Sequence, residues 1–366
     1  MGAFALRSLI VTLTAAVTVL AGGLPAQSIA TRVDSAHHEV VIEAGPFDVP
    51  AMDAEMAKEM EMDHSSMHHE EARRVFRFDW PIDGPARGYR VELRDSTGAL
   101  LPRSLLHHLI AINFDRRQFL YAQAERLFGV GRETPDVRLP GTLAVPVDRG
   151  QRLGFYVAWH NDTGRDLHGA TVRIVINWVP RGAARFYTAV IPVYFDADNE
   201  VGETNTFDVP PGKSSKAFEF VAPASGHIMV LTGHLHDYGE SVRLEDAETG
   251  KVMVKLVSTR DAGGKIVSIP RKVFLLRPLR IREGHRYRIV AEYDSPLHQT
   301  IVDGAMANIL GVFAPDSPSH WPVIDPDDST FKKDIESLPI VVPQVSGEGK
   351  GVRTELVTYS QRPPAD

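Results

Sequence analysis

Cysteine is absent from the 366-residue chain, so neither a disulfide nor a thiolate ligand is available to it. No basic run interleaves with aromatic residues, and the formal net charge at pH 7 is −7, which argues against a nucleic-acid partner. The chain also lacks a glycine-rich phosphate loop, a Gly-x-Ser-x-Gly elbow and a His-Glu-x-x-His helix. P-loop nucleotide hydrolases, serine hydrolases built on that elbow and zinc proteases are therefore not expected.

Long apolar runs are scarce, and the one near the N-terminus is short. Arg7 precedes the apolar segment Ser8–Ala21, which is too short to span a bilayer comfortably, and small residues precede Thr31. This pattern predicts a signal peptide over residues 1–30, cleaved on export to the periplasm or the extracellular space. An uncleaved anchor helix is the alternative. No later run predicts a membrane helix, so no stable membrane span is expected after cleavage.

The remaining composition favours an all-β protein. The hydrophobic fraction of 43% is sufficient for real cores and excludes global disorder. From Val75 onward, short alternating or apolar runs are separated by Gly, Pro, Asp and Asn, which is typical of antiparallel β structure. The two halves of this region share that texture without an exact repeat. We therefore predict two tandem antiparallel β-sandwiches of jelly-roll-like form, meeting near residues 182–185.

Some stretches do not show the strand pattern. Residues 31–50 look irregular, and residues 116–127 could form either a short helix or an ordered loop. Within the C-terminal region, residues 338–342 could add one edge strand. The predicted segments are a signal peptide (1–30), a Met/His-rich N-terminal segment (31–74), a first β-sandwich (75–184), a second β-sandwich (185–316) and an irregular tail (317–366).

The N-terminal segment contains an unusual series of methionines and histidines. Met52, Met56, Met60, His64 and His68 follow one another at steps of four, so a helix would carry them as one continuous stripe. Thioether and imidazole groups together suit Cu(I), which makes this stripe a candidate accessory copper site. The alternative is a solvated acidic helix whose methionines pack loosely on the neighbouring domain.

The first predicted sandwich contains the adjacent pair His107-His108 and, further along the chain, His160. Adjacent residues in a regular strand point to opposite faces of the sheet. The pair can therefore bind one ion only if the strand is bulged or ends there, or if the ion lies at its edge. The alternative is that these histidines are surface residues or satisfied core residues.

The second predicted sandwich contains His234 and His236, which an extended strand directs to the same face. Much later comes Met306. A thioether as third ligand would indicate copper rather than zinc, because Zn²⁺ takes nitrogen, oxygen or thiolate ligands. Core packing at the start of a strand is the alternative role for Met306.

The order of these elements resembles one known family. His-His, then a histidine beside a Gly-Phe strand, then His-x-His and finally Met-x-Asn are similar to the ascorbate-dependent type II copper monooxygenases. Peptidylglycine α-hydroxylating monooxygenase and dopamine β-monooxygenase belong to that family. The segments RLPGTLAVPVDRGQRLGFYVAWHND, VPPGKSSKAFEF and MANILGVF also resemble it. The resemblance extends over roughly Val75 to Pro315.

The resemblance implies a function and two sets of ligands. His107, His108 and His160 would bind an electron-transfer copper, and His234, His236 and Met306 would bind the catalytic copper. The two sandwiches would face each other across a solvent-filled cleft. The implied activity is hydroxylation of a C–H bond of a small molecule or peptide, with oxygen and a reductant such as ascorbate as co-substrates.

Two other hypotheses remain open from the sequence. One is an exported, non-catalytic copper-binding protein that buffers or delivers the metal on the same scaffold. The other is a zinc or structural site at the first set of histidines, without redox chemistry. The sequence names neither the substrate nor the oligomeric state.

Two positions depart from the family pattern. The peptide-amidating enzymes have an arginine two residues before His-x-His that binds the substrate carboxylate, and here that position is Thr232. Their Met-x-Asn-x-Tyr motif corresponds to residues 306–310 of this chain, which keeps the asparagine as Asn308 but has Leu310 in place of the tyrosine. Asn308 and Thr232 are therefore candidate substrate-side residues, and the loss of the arginine argues against a peptidylglycine substrate.

Overall fold

The computed structural model describes residues 27–52, residues 74–198 apart from 133 and 135, residues 206–338, and the backbone of 340–341. Nearly all of the predicted signal peptide lies outside these residues. Among the described residues, no helix combines the length and the apolar character that crossing a bilayer requires. The chain forms two tandem β-sandwiches, and the predicted all-β fold class is confirmed.

The first sandwich is formed by two sheets. The strands are β1 (Ser28–Asp34), β2 (Glu39–Val49), β3 (Val75–Asp79), β4 (Ala86–Arg94), β5 (Leu100–Leu101), β6 (Leu106–Arg117), β7 (Ala124–Gly131), β8 (Val137–Arg138), β10 (Arg152–Trp159), β11 (Leu167–Trp178) and β26 (Ile340–Val341). One sheet has the strand order β1-β2-β11-β4-β5, with β8 also paired to β4, and the other has the order β26-β3-β10-β6-β7. All pairs are antiparallel except β26 with β3.

The second sandwich also has two main sheets. Their strands are β13 (Ile191–Asp196), β15 (Gly212–Val221), β16 (Gly226–Leu235), β17 (Gly239–Asp246), β18 (Val252–Val257), β21 (Lys272–Val273), β22 (Leu279–Ile281), β23 (Arg286–Ser295) and β25 (Ala307–Pro315). One sheet has the order β13-β25-β16-β21, with β22 also paired to β16, and the other has the order β15-β23-β17-β18. Three short pairs complete the strands: β9 (Leu143–Ala144) with β12 (Thr188–Ala189), β14 (Phe207–Val209) with β24 (Ile301–Ala305), and β19 (Thr259–Arg260) with β20 (Ile266–Ser268).

The helices are short. Within the described residues, two are 3-10 turns and two are α-helices, at Arg103–Leu105, Pro318–His320, Arg181–Ala184 and Ser329–Glu336. The α-helical turn Arg181–Ala184 connects β11 to β12, at the position where the sequence predicts the boundary between the sandwiches. The longer helix begins after Asp328, whose carboxylate accepts hydrogen bonds from the backbone N–H groups of Thr330 and Phe331.

The two sandwiches pack directly against each other. Along β16, Leu231 and Leu235 point into the core of the second sandwich, whereas Val230 belongs to the core cluster of the first. Val312 of β25 joins the same cluster. Side chains alternate along a strand, so one face of this sheet serves each core. The solvent-filled cleft that the resemblance implies is therefore closed along this face by apolar packing.

Two stretches that look irregular in the sequence form strands or helix. Residues 31–50 contain most of β1 and all of β2, and β2 is buried because it lies between β1 and β11. The pattern is hard to recognise because the strand includes Gly45 and Pro46, residues that usually interrupt strands. The predicted irregular tail contains the helix Ser329–Glu336, and its predicted edge strand is present as β26.

Residues 116–127 form no helix. They contain the end of β6, an ordered connection over residues 118–123, and the start of β7. The guanidinium of Arg116 donates two 2.8 Å hydrogen bonds to the fully buried carboxylate of Glu125, and Asn113 donates a third. These contacts hold the two strands together across the turn.

A buried ion pair attaches the C-terminal helix to the first sandwich. Asp334, 1% exposed, accepts hydrogen bonds from the guanidinium of Arg126 and from the backbone N–H of Ala124.

Replacing Asp334 by alanine leaves the arginine buried without its counter-charge, so we expect a loss of about 3–5 kcal/mol in the free energy of unfolding. Urea denaturation measures it. The matched control is Asp327→Ala, which removes an exposed ion pair with Lys332 and should leave the transition midpoint nearly unchanged. Equal effects of the two substitutions would contradict this attachment.

Candidate metal centre

Three histidines from the two sandwiches converge on one point. His108 lies on β6, His234 lies near the end of β16, and His236 follows that strand directly. One ring nitrogen from each of the three lies within 4.8 Å of the others. Two metal–nitrogen bonds of about 2.1 Å place their nitrogens at most about 4.2 Å apart. Side-chain movements of a fraction of an ångström would therefore let the three imidazoles share one ion, and this group could hold a metal.

The adjacent histidines of the first sandwich are brought together by a β-bulge. In the pairing of β10 with β6, Ala158 lies opposite His108 and Trp159 lies opposite Leu106, so His107 is the extra residue. The imidazole rings of His107 and His108 consequently have centroids only 4.0 Å apart. The condition that the sequence sets for two adjacent ligands, a bulged strand, is met.

His160 lies at the edge of the same group. It follows β10, and its backbone N–H donates a 2.9 Å hydrogen bond to the carbonyl of Leu105. Its ring centroid is 6.5 Å from that of His107. Burial lowers the pKa of His160 below its usual value, which favours the neutral imidazole, the form that binds metals. The side chain of Asn161 bonds to the carbonyls of Val49 and Arg165 and stabilises the turn.

The histidines of the two predicted copper sites form one cluster. The ring of His108 lies 5.2 Å from that of His234 and 6.1 Å from that of His236, measured between centroids. His107 and His236 are 6.3 Å apart by the same measure. The resemblance implies two sites on opposite sides of a cleft. Direct packing of the sandwiches instead brings both sets together.

The glycine that directly precedes His234 has a steric reason. A Cβ atom at position 233 would lie 3.0 Å from Cγ1 of Val242 in the facing sheet. Position 233 therefore points into the second sandwich, while His234 and His236 point the other way, toward the first. The sequence prediction that these two side chains share a face agrees with this arrangement.

His236 is oriented by a backbone carbonyl. Its Nδ1 lies 3.3 Å from the carbonyl oxygen of Gly304. Because a carbonyl can only accept, we assign the proton of the neutral ring to Nδ1, and Nε2 then carries the lone pair available to a metal.

Met306 lies beside His236. Its carbonyl accepts hydrogen bonds from the backbone N–H of His236 at 3.1 Å and from the hydroxyl of Tyr293 at 2.7 Å. The pairing of β16 with β25 sets His234 opposite Asn308 and Leu235 opposite Ala307, so the next position sets His236 opposite Met306. Residues opposite each other on antiparallel strands share a face. The backbone thus places the half-buried Met306 on the histidine side of the sheet.

A buried polar network lies next to His234. Asp196, Asn308 and His234 occupy neighbouring positions on the adjacent strands β13, β25 and β16. The amide of Asn308 donates a 3.3 Å hydrogen bond to the carboxylate of Asp196, and the hydroxyl of Tyr194 donates to the same oxygen. Both Asp196 and Asn308 are buried. Asn308 could be identified from the sequence, but Asp196 could not, because β13 and β25 are far apart in the chain and only their pairing brings the two residues together.

An ion pair joins the two sandwiches at the cluster. Arg132, just after β7, donates to both carboxylate oxygens of Asp237, at 3.0 and 3.2 Å. Asp237 also accepts a hydrogen bond from the backbone N–H of Ile266. These contacts hold the turn that follows His236 against the first sandwich.

A largely apolar cavity adjoins the cluster. Its volume is about 150 Å³, and both sandwiches contribute to its walls. Thr232 and Gly233, which directly precede His234, line it, and so does Leu310. On the first sandwich, Tyr89 and Phe128 form an aromatic wall, with ring centroids 3.9 Å apart. The two positions that depart from the family pattern, Thr232 and Leu310, therefore both face this cavity.

Residues 53–73 of the Met/His-rich segment lie outside the described residues, including Met56, Met60, His64 and His68. Met52 is described, and its backbone N–H donates a 2.9 Å hydrogen bond to the carbonyl of Asn161, the residue after His160. The candidate accessory copper site therefore stays a prediction.

Comparison with known proteins does not identify a family. No protein-family model matches the chain, and no curated protein matches it. Among solved structures, the major capsid protein P2 of bacteriophage PM2 is 9% identical, with a TM-score of 0.35 over 68% of this chain and 94% of that chain. PNGF-II is 12% identical (TM-score 0.30; 65% and 59%), and the PBCV-1 protein VP54 is 8% identical (TM-score 0.28; 78% and 91%). All three TM-scores are below 0.5, so we infer neither relationship nor function from them.

We predict that His108→Ala weakens metal binding although His108 belongs to the first sandwich and the other two histidines of the group to the second. Changing groups that merely orient metal ligands costs about 10- to 100-fold in affinity, so removal of a ligand should cost at least about 10-fold. Competition against a chelator, with copper and with zinc, measures the affinity. The control is His168→Ala, an exposed histidine that pairs with Asp48. Unchanged affinity in His108→Ala, or an equal loss in the control, would contradict the shared site.

Proposed function

We propose that this protein is an exported, copper-dependent monooxygenase-like oxidoreductase. It hydroxylates a C–H bond of a small-molecule or peptide substrate, with oxygen and an external reductant such as ascorbate. The observation that carries the proposal is the convergence of His108, His234 and His236 beside a cavity that both sandwiches line. A metal-binding group with an adjacent cavity of this kind is the usual form of a catalytic site.

Copper fits the ligands better than zinc does. His108, His234 and His236 would hold one copper that both sandwiches share, and Met306 beside His236 would add a thioether ligand. His107 and His160, at the edge of the cluster, would hold the other copper. Imidazole accommodates both copper oxidation states, and a thioether favours Cu(I). Copper held there supplies the one-electron redox chemistry that oxygen activation requires.

The chain's own residues orient the ligands and hold the site together. The carbonyl of Gly304 orients His236, and the bulge at His107 brings the imidazoles of His107 and His108 close together. The ion pair of Arg132 with Asp237 keeps the two sandwiches in contact at the cluster. The apolar cavity walls would exclude water from the substrate.

The second candidate function is non-catalytic buffering or delivery of copper. The position of Met52 favours it, because its backbone N–H bonds to the carbonyl of Asn161 and so places the first residue of the Met/His stripe close to His160. Export, in either case, is inferred from residues 1–30, which lie almost entirely outside the described part of the chain.

The test of the enzyme hypothesis is incorporation of oxygen from ¹⁸O₂ into a product. Copper-loaded protein, ascorbate and a panel of small apolar compounds and peptides are incubated, and products are analysed by mass spectrometry. We expect about two coppers per chain outside the Met/His-rich segment, since two ligand sets are proposed. We also expect one labelled oxygen atom per product molecule and loss of labelling in His234→Ala.

The control variant is again His168→Ala, which should label product as the wild type does. Copper binding without labelled product from any compound would favour the buffering function. Labelling that persists in His234→Ala, or that free copper with ascorbate reproduces, would contradict catalysis at this site.

A further inference from the structure

A cationic residue just before a neighbouring strand faces the cavity beside Thr232. In the pairing of β16 with β21, Val230 lies opposite Val273 and Leu231 lies opposite Lys272. Extending this register by one position sets Arg271 opposite Thr232, so the two side chains share a face of the sheet. Both residues line the cavity. The hydroxyl of Thr232 lies 3.5 Å from the carbonyl of Ile269, consistent with the two segments running side by side.

The charge of Arg271 is not neutralised within the part of the chain that the structure describes. Among the described residues, no acidic residue lines the cavity. The other cationic residue of this described lining is Arg126, which is paired with Asp334. Arg271 is exposed and has no ion pair or hydrogen bond to any described residue. As far as the described residues go, the cavity therefore carries one uncompensated positive charge, at a position open to solvent.

The rest of the cavity suits an apolar group of limited size. Phe128, Leu310 and Val312 line it. An apolar cavity of about 150 Å³ is large enough for a molecule the size of benzene. Burial raises the pKa of Tyr89 above its usual value, so its hydroxyl stays neutral and adds no negative charge.

We propose that this cavity binds a small amphipathic monoanion. The apolar body lies among Phe128, Leu310 and Val312, and a carboxylate accepts charge-assisted hydrogen bonds from the guanidinium of Arg271. A planar guanidinium matches a carboxylate in geometry as well as in charge. The identification of this ligand as the substrate rests on the proposed function, whereas its binding does not.

The test compares an anion with its neutral analogue on metal-free, full-length protein. Phenylacetate and phenylacetamide have nearly the same shape and differ in charge, and isothermal titration calorimetry measures their affinities. The wild type should bind phenylacetate more tightly than the amide. Arg271→Gln should weaken phenylacetate binding about 10- to 100-fold, the usual value of a hydrogen bond to a charged group, and leave the amide unchanged.

Two matched variants separate charge from cavity. Lys272→Gln removes the same charge from the adjacent residue, whose side chain points to the opposite face, and should bind both ligands as the wild type does. Leu310→Trp fills the cavity and should weaken both ligands. Wild-type affinity for phenylacetate should also fall as salt is added while that for the amide does not, a readout that needs no variant.

The proposal is overturned if the wild type binds neither ligand, if phenylacetate and phenylacetamide bind equally well, or if Arg271→Gln and Lys272→Gln behave alike. Failure of the proposed function gives a different pattern. In that case phenylacetate binds to the metal-free protein and Arg271→Gln weakens it as expected, but copper-loaded protein labels no product with ¹⁸O.

Discussion

The rest of the structure depends on one packing contact, the apolar face that β16 and β25 present to the first sandwich. Val230 and Val312 lie in the core of the first sandwich, although their strands belong to the second. Two residues further along each strand the same face carries Thr232 and Leu310, and then His234 and Asn308. Apolar burial, which is favourable and non-directional, thus brings polar ligands of the second sandwich against the histidines of the first.

This arrangement explains why the cluster and the cavity occur together. The face is apolar enough to stay packed at the valines, and Gly129 on the first sandwich and Gly311 on the second contribute to the cavity wall. At Gly311 a Cβ atom would lie 2.2 Å from the carbonyl oxygen of Val230, so only glycine fits. The partly exposed ion pair between Arg132 and Asp237 is a polar contact that joins the two sandwiches next to the histidines.

Much of the fold could be predicted from the sequence, because alternation and turn residues are local signals. The pair His234 and His236 is local as well, and its shared face follows from the strand period alone. Long-range pairing is not encoded in this way. The convergence of His108 with His234, the proximity of Asp196 to Asn308, and the position of Arg271 opposite Thr232 all depend on register between distant strands. The strand β2 was missed for a local reason, since Gly45 and Pro46 conceal its pattern.

We propose that both sandwiches contribute ligands to one metal centre, and a double-mutant cycle tests this most directly. Copper affinity is measured for the wild type, for His108→Ala, for His234→Ala and for the double variant. If the two histidines bind the same ion, the double variant should lose much less affinity than the sum of the two single losses, expressed as free energies. Additive losses would show that the histidines act at independent sites and would contradict a shared centre.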